Sequence, residues 1–141
     1  DGATRRFVIT DAAMNDLVRP AMYNAYHPIR PVKQPAPGAR ETPMDVAGPI
    51  CETGDQFAAQ RPLPPILAGE LLAILKAGAY GFAMASTYNL RPLPAEVMVD
   101  GTRFAVVRPR QDYGDLLGAD ILPDWNQGTT AETPPKARGA A

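Results

Sequence analysis

The chain has 141 residues, 45% hydrophobic and 21% charged, which suits one globular domain with its own core and excludes a two-domain enzyme. With Lys and Arg numbering 14 against 15 Asp and Glu, and a net charge of −1, there is no basic stripe to neutralise a nucleic-acid backbone. One Cys and one His exclude an internal disulfide and the usual zinc ligand sets, and no apolar run reaches the ~18 residues of a membrane span.

Residues Asp1 to Arg6 show no methionine start and no signal-peptide pattern, and run almost at once into a strand. The expectation is that a segment precedes them in a longer protein, and that the compartment is the cytoplasm. Phe7-Val8-Ile9 predicts a strand ending at Thr10-Asp11. Asn15 and Asp16 open a turn or a single helical turn that Pro20 limits from downstream. The apolar, aromatic stretch from Ala21 to Ile29 reads as a strand, and Pro35-Ala36-Pro37-Gly38 as a loop. Asp45-Val46-Ala47 is strand-like up to Gly48-Pro49, and Cys51-Glu52-Thr53-Gly54-Asp55 is a polar loop after it.

Pro62-Leu63-Pro64-Pro65 reads as a connector, and Leu71 to Leu75, flanked by Gly69 and Gly78, as a buried strand. Gly81 to Ser86 predicts one helical turn. Val97-Met98-Val99 and Phe104 to Val107 predict a hairpin around Asp100-Gly101, with positive φ at both turn positions. Tyr113 to Leu117 predicts a short closing helix, and residues 126–141, rich in Gly, Thr, Pro and Ala, a disordered tail after a domain spanning 1–125. About six short strands with few helical stretches predict a mainly β domain, an antiparallel barrel or sandwich with a few short helical turns.

Four segments carry side chains that a purely structural β-domain does not require. Met14 to Tyr23 sets Arg19 and Tyr23 beside a strand. Gly48-Pro49-Ile50-Cys51-Glu52-Thr53-Gly54-Asp55 sets the only thiol next to a carboxylate. Ala77-Gly78-Ala79-Tyr80-Gly81-Phe82 holds a tyrosine among small residues, and Tyr88-Asn89-Leu90-Arg91-Pro92 follows it. Singly, each has a plain structural explanation: surface charges at Arg19 and Glu52, a small buried hydrophobe at Cys51, a core aromatic at Tyr80.

In this order, from about Arg5 to Trp125, the strings resemble the C-terminal domain of the diaminopimelate decarboxylase family, the fold-type III pyridoxal-phosphate enzymes that make lysine. The resemblance implies the Greek-key-like sheet domain of the alanine racemase-like enzymes, without the (β/α)8 barrel that precedes it. It also implies a homodimer with a shared active site and pyridoxal 5'-phosphate as cofactor, its lysine and phosphate loop supplied by the missing barrel domain. The substrate implied is meso-diaminopimelate, decarboxylated to L-lysine.

Arg19, with Tyr23 beside it, corresponds to the group that grips the distal carboxylate, for which a planar guanidinium fork is suited. Glu52 corresponds to the partner of the distal ammonium. Cys51 corresponds to the thiol that returns a proton to Cα as a general acid, while the cofactor serves as electron sink. Tyr80 corresponds to the tyrosine that reaches the cofactor phosphate and lies near the substrate.

Thr53 stands where serine is common, which keeps a hydroxyl. The Arg19 and Glu52 pair favours diaminopimelate over ornithine, because ornithine has no distal carboxylate. Lys33, Lys76 and Lys136 do not match the lysine that carries the cofactor covalently, so the expectation is that this chain alone is inactive and binds the cofactor weakly or not at all. Two other readings stay open: a non-catalytic regulatory or binding β-domain, and a related fold-type III decarboxylase acting on another carboxylated diamine.

Overall fold

Strands dominate the computed structural model, which describes residues 5–126; the expected tail lies almost wholly outside them. In chain order the elements are β1 (Phe7–Ile9), α1 (Arg19–Tyr23), β2 (Ile29–Pro31), β3 (Thr42–Ala47), β4 (Gln56–Leu63), β5 (Leu72–Ile74), β6 (Glu96–Asp100), β7 (Arg103–Arg108) and α2 (Tyr113–Leu117). Short 3-10 turns fall at Phe82–Met84, Tyr88–Leu90 and Asp124–Asn126. The mainly β composition with a few short helical turns is the one expected. The strands lie in three sheets, ordered β1-β3-β4, β2-β5 and β6-β7. Three pairs are antiparallel, whereas β1 runs parallel to β3, with Val8 opposite Val46.

Two expectations for the chain path are corrected. Residues Ala21 to Ile29 do not form one strand: Pro20 sits in the first turn of α1, where its missing N–H costs nothing, and Asn24 closes the helix with φ 51. Only the end of that stretch joins β2. The Pro62 connector is the end of β4, an eight-residue strand whose alanines and polar residues hide the alternation. The β6-β7 hairpin forms as expected, but its loop is Gly101-Thr102, since Asp100 pairs with Arg103. Among these turn residues only Gly101 has positive φ, at 60°, the pattern of a II′ turn.

Leu17, Ile29, Met44, Val46, Phe57, Ala58 and Leu63 form the core, where β3, β4 and β2 meet the segment leading into α1. Phe57 is 4% exposed, so truncating it leaves a cavity the sheet cannot collapse into. Phe57→Ala is expected to lose about 3–5 kcal/mol of stability, read as a lower urea midpoint at unchanged slope.

β3 and β4 depart from a regular ladder at Asp45. Met44 pairs with Arg61 and Val46 with Ala58, so Ala59 and Gln60 together oppose the single residue Asp45. Gln60 takes left-handed φ (47°), and its N–H leaves the ladder to donate to Asp45 Oδ1 at 2.7 Å. The Gln60 side chain donates to the same oxygen at 3.2 Å, and Arg5 Nε reaches Oδ2 at 2.6 Å. A buried carboxylate is tolerated there because every bond offered to it favours the charged form.

Arg5 above all, with the Gln60 amide, holds the Asp45 carboxyl below its ordinary 3.8 against the opposing effect of burial. Because the folded value lies below the unfolded one, this stabilisation is present above the unfolded value and is lost as pH falls through the folded one. The thermal midpoint is therefore expected to fall as pH drops below about 4. Asp45→Asn should lower the midpoint at pH 7 and flatten that acid limb, both measurable by thermal scans across pH.

Candidate active-site surface

Arg19 opens α1, and Tyr23 lies one turn on, at the spacing that puts both on one helix face. The half-buried Arg19 holds its guanidinium carbon 5.3 Å from the ring centre of Tyr80. Tyr80 closes the turn at 78–80 and is 57% exposed, as Tyr23 is to a similar degree. The ring thus fixes the cation by its face while leaving the tyrosine edge open to solvent. Among the described residues Arg19 has no carboxylate partner.

Cys51 and Glu52 lie at the exposed tip of the loop joining β3 to β4. Glu52 Oε1 accepts from Thr53 Oγ1 and from the Gly54 N–H, each at 3.2 Å, so the carboxylate is turned onto its own loop and meets no cation among the described residues. The base of the loop is organised by Asp55, which is 4% exposed. Its side chain accepts the N–H of Ile50 and the N–H of Met14, both at 2.7 Å. Its backbone carbonyl accepts the Gly48 N–H at 3.1 Å, and its own N–H donates to the Glu52 carbonyl at 3.0 Å. Gly48 is required by this closeness, since a β-carbon there would fall 2.4 Å from Asp55 Oδ2.

The turn at 14–16, which receives the Asp55 bond, is also tied to the segment after Tyr80. Asn15, 2% exposed, accepts from Arg91 Nε at 2.9 Å and donates to the Ser86 carbonyl at 3.3 Å. Ser86 returns a backbone bond to the Asn15 carbonyl at 2.9 Å. Arg19 and Tyr80 are therefore in direct contact. The Cys51-Glu52 loop is joined to them through the chain just ahead of α1. Pro20 and Ala21 of α1 line one cleft with Thr53 and Gly54 of that loop. In the sequence strings Asp55 has no assigned role, and Asn15 only that of opening a turn. The signal that marks them is a short polar side chain at a loop base, a position where backbone amides need an acceptor.

The donor set fits one wall of a pyridoxal-phosphate site: the exposed Tyr80 hydroxyl suits a phosphate, and the exposed Cys51 thiol suits proton transfer. Lys33 and Lys76 are exposed, the latter with φ 60, and Lys136 lies outside the described residues. Among the described residues no group of His, Cys, Asp and Glu is arranged to hold a metal ion. No helix there is long and apolar enough to cross a membrane.

Residues 1–78 match the family described as pyridoxal-dependent decarboxylase, C-terminal sheet domain. The diaminopimelate decarboxylase of Zymomonas mobilis subsp. mobilis is 51% identical over 125 residues, which is 89% of this chain and 29% of that enzyme. Among solved structures, the diaminopimelate decarboxylase of M. jannaschii superposes with a TM-score of 0.81 at 38% identity, covering 89% of this chain and 28% of that one. The Helicobacter pylori enzyme complexed with L-lysine does so with a TM-score of 0.74 at 42% identity, covering 81% and 28%. This chain thus spans less than a third of the length of the relatives it matches.

Proposed function

Because this chain belongs to the pyridoxal-dependent decarboxylases, as a C-terminal sheet domain of that family, we propose that it forms one wall of the active site of a diaminopimelate decarboxylase. The enzyme it serves removes one carboxylate of meso-diaminopimelate to give L-lysine. The observation that carries the reading is Arg19: a half-buried guanidinium steadied by the Tyr80 ring, with no carboxylate of the described residues to satisfy it. A cation kept in that state suits a ligand that brings its own carboxylate.

Each residue has a role. Arg19 binds the distal carboxylate of the substrate, and Tyr23, on the same helix face, borders it. Glu52 takes the distal ammonium, giving up its contacts to Thr53 and Gly54. Tyr80 presents its hydroxyl to the cofactor phosphate and its ring to Arg19. Cys51 Sγ holds the proton that replaces the lost carboxylate at Cα, a general-acid role. The cofactor, when bound, supplies the electron sink for loss of carbon dioxide. Its covalent lysine and main phosphate loop belong to a barrel domain preceding this one.

The working unit is a homodimer in which Cys51 and Glu52 serve the neighbour's cofactor, while Arg19, Tyr23 and Tyr80 serve their own. Support comes from the apolar side chains the chain leaves in solvent: Phe7, Ile9, Met98, Phe104 and Trp125 are each more than half exposed. The compartment is the cytoplasm.

Release of carbon dioxide from meso-diaminopimelate by the full-length enzyme with pyridoxal phosphate tests the assignment, with L-ornithine as the alternative substrate. Turnover of diaminopimelate alone is the expected result. Preference for ornithine, or no turnover of either, would overturn it.

A further inference from the structure

We infer that Asp55 and Asn15 are positioning residues, forming a buried polar junction that sets the Cys51-Glu52 loop against the helix bearing Arg19 and the segment bearing Tyr80. The inference rests on the function proposed above: the junction holds the Cys51-Glu52 loop, which reaches the neighbour's site, in fixed relation to Arg19 and Tyr80, which serve this chain's own.

The geometry is that of a single junction with two arms. On one arm, the Asp55 carboxylate spans the loop base and the 14–16 turn: one oxygen takes the Ile50 amide, next to Cys51, and the other takes the Met14 amide, five residues before Arg19. Because Asp55 also receives the Gly48 amide and donates to the Glu52 carbonyl, the loop between them is closed on itself around this residue. On the other arm, Asn15 is bonded to Ser86 and Arg91, downstream of Tyr80. Arg91 also donates to the Asp11 carbonyl, so both ends of the 11–16 segment are held.

Neither side chain reaches the surface, so neither is placed to meet a substrate. Their effect is transmitted through the backbone they fix. The side chains at the tip carry no such restraint: Cys51 and Glu52 are exposed, and the Glu52 carboxylate is bonded only to its own loop. An exposed catalytic tip keeps its aim only if its base is fixed, and a shift of about 1 Å at such a tip costs as much as 100-fold in rate.

The amide of Asp55→Asn can accept only one of the two backbone N–H groups that the carboxylate receives, and it turns an NH2 group toward the other. In the full-length enzyme kcat is expected to fall ~10- to 100-fold with KM changed by less than about threefold. Labelling of Cys51 by iodoacetamide, followed on its own peptide by mass spectrometry without substrate, should change at least ~threefold, because thiol reactivity follows its surroundings. Asn15→Ser acts on the other arm: KM should rise ~threefold or more while Cys51 labelling stays within about twofold.

If Asp55→Asn leaves kcat and labelling both within about twofold of wild type, or lowers kcat without altering labelling, the inference is overturned. Labelling needs no turnover, so it decides the matter even for an enzyme that proved not to decarboxylate diaminopimelate; that result would sink the functional reading alone. Should Asp55→Asn not fold, amide exchange in the wild-type enzyme decides. Met14 and Ile50 must then exchange at one common rate, at least ~10-fold slower than Thr53, and unequal rates would overturn the junction.

Discussion

Replacing Cys51 by alanine in the full-length enzyme is expected to lower kcat by ~100- to 10,000-fold, the usual contribution of a positioned general acid, with little change in KM. The thiol is exposed at the tip of a loop whose base is anchored, so its removal leaves the fold intact and deletes one function. Binding of the far end of the substrate does not involve the sulfur, which is why KM should hold. The carbon that has lost its carboxylate must then take its proton from water, without a fixed direction. In D2O the wild-type product should carry deuterium in one configuration at the carbon that lost its carboxylate, Cε of lysine, and the alanine variant should give a mixture. A Cys51→Ala enzyme with undiminished kcat and a single product configuration would assign the proton to another group.

Arg19→Ala is expected to act on the other parameter. Truncating one partner of a hydrogen-bonded charge pair costs about 2–5 kcal/mol, here a rise of roughly 30- to 5,000-fold in KM. Part of that loss comes from the substrate carboxylate, left desolvated without a partner. Arg19→Lys should recover little, because a lysine keeps the charge but has neither the planar fork nor the face that rests on Tyr80. Stability should change little for either variant, since the contact with the exposed Tyr80 ring is worth only about 0.5–1 kcal/mol. Steady-state kinetics and a thermal scan on the same samples separate the two effects.

What the sequence made legible follows from which forces act locally. β1, β5 and the β6-β7 hairpin were readable because short apolar runs between turn residues leave few alternatives. The exposure of the loop at Cys51 was readable for the same reason, as a polar string after a Gly-Pro turn. The end of α1 reads as strand because Tyr23 and the apolar, aromatic residues after it favour sheets, and only the position of Pro20 in a first turn and the left-handed Asn24 reveal the helix. β4 was hidden by its bulge: two residues opposite Asp45 break the period of two, and Gln60 reaches left-handed φ through a bond to a distant carboxylate. The parallel β1-β3 pair is a long-range choice with no local signature.

The candidate site divides along the same line. The side chains proposed to meet a ligand lie in recognisable strings, since chemistry dictates their type. The residues that hold those strings together do not announce themselves. Asp55 reads in sequence as one more loop acid, and only its burial and its two amide bonds, one of them to a residue 41 positions away, show it as the base of the Cys51 loop. Asn15 likewise gains its meaning from Ser86 and Arg91, more than 70 positions downstream.

Selectivity for the second carboxylate tests this account most directly. The product L-lysine keeps the L centre of meso-diaminopimelate, so the D centre reacts. D-Lysine keeps that centre and lacks the second carboxylate, so kcat/KM for D-lysine and diaminopimelate should be compared in wild type, Arg19→Ala and Cys51→Ala. The wild-type enzyme should prefer diaminopimelate by at least ~100-fold; Arg19→Ala should lose nearly all of that preference, and Cys51→Ala should keep it. A preference that survives the loss of the guanidinium would mean that the distal carboxylate is read elsewhere, and would contradict the role given to this surface.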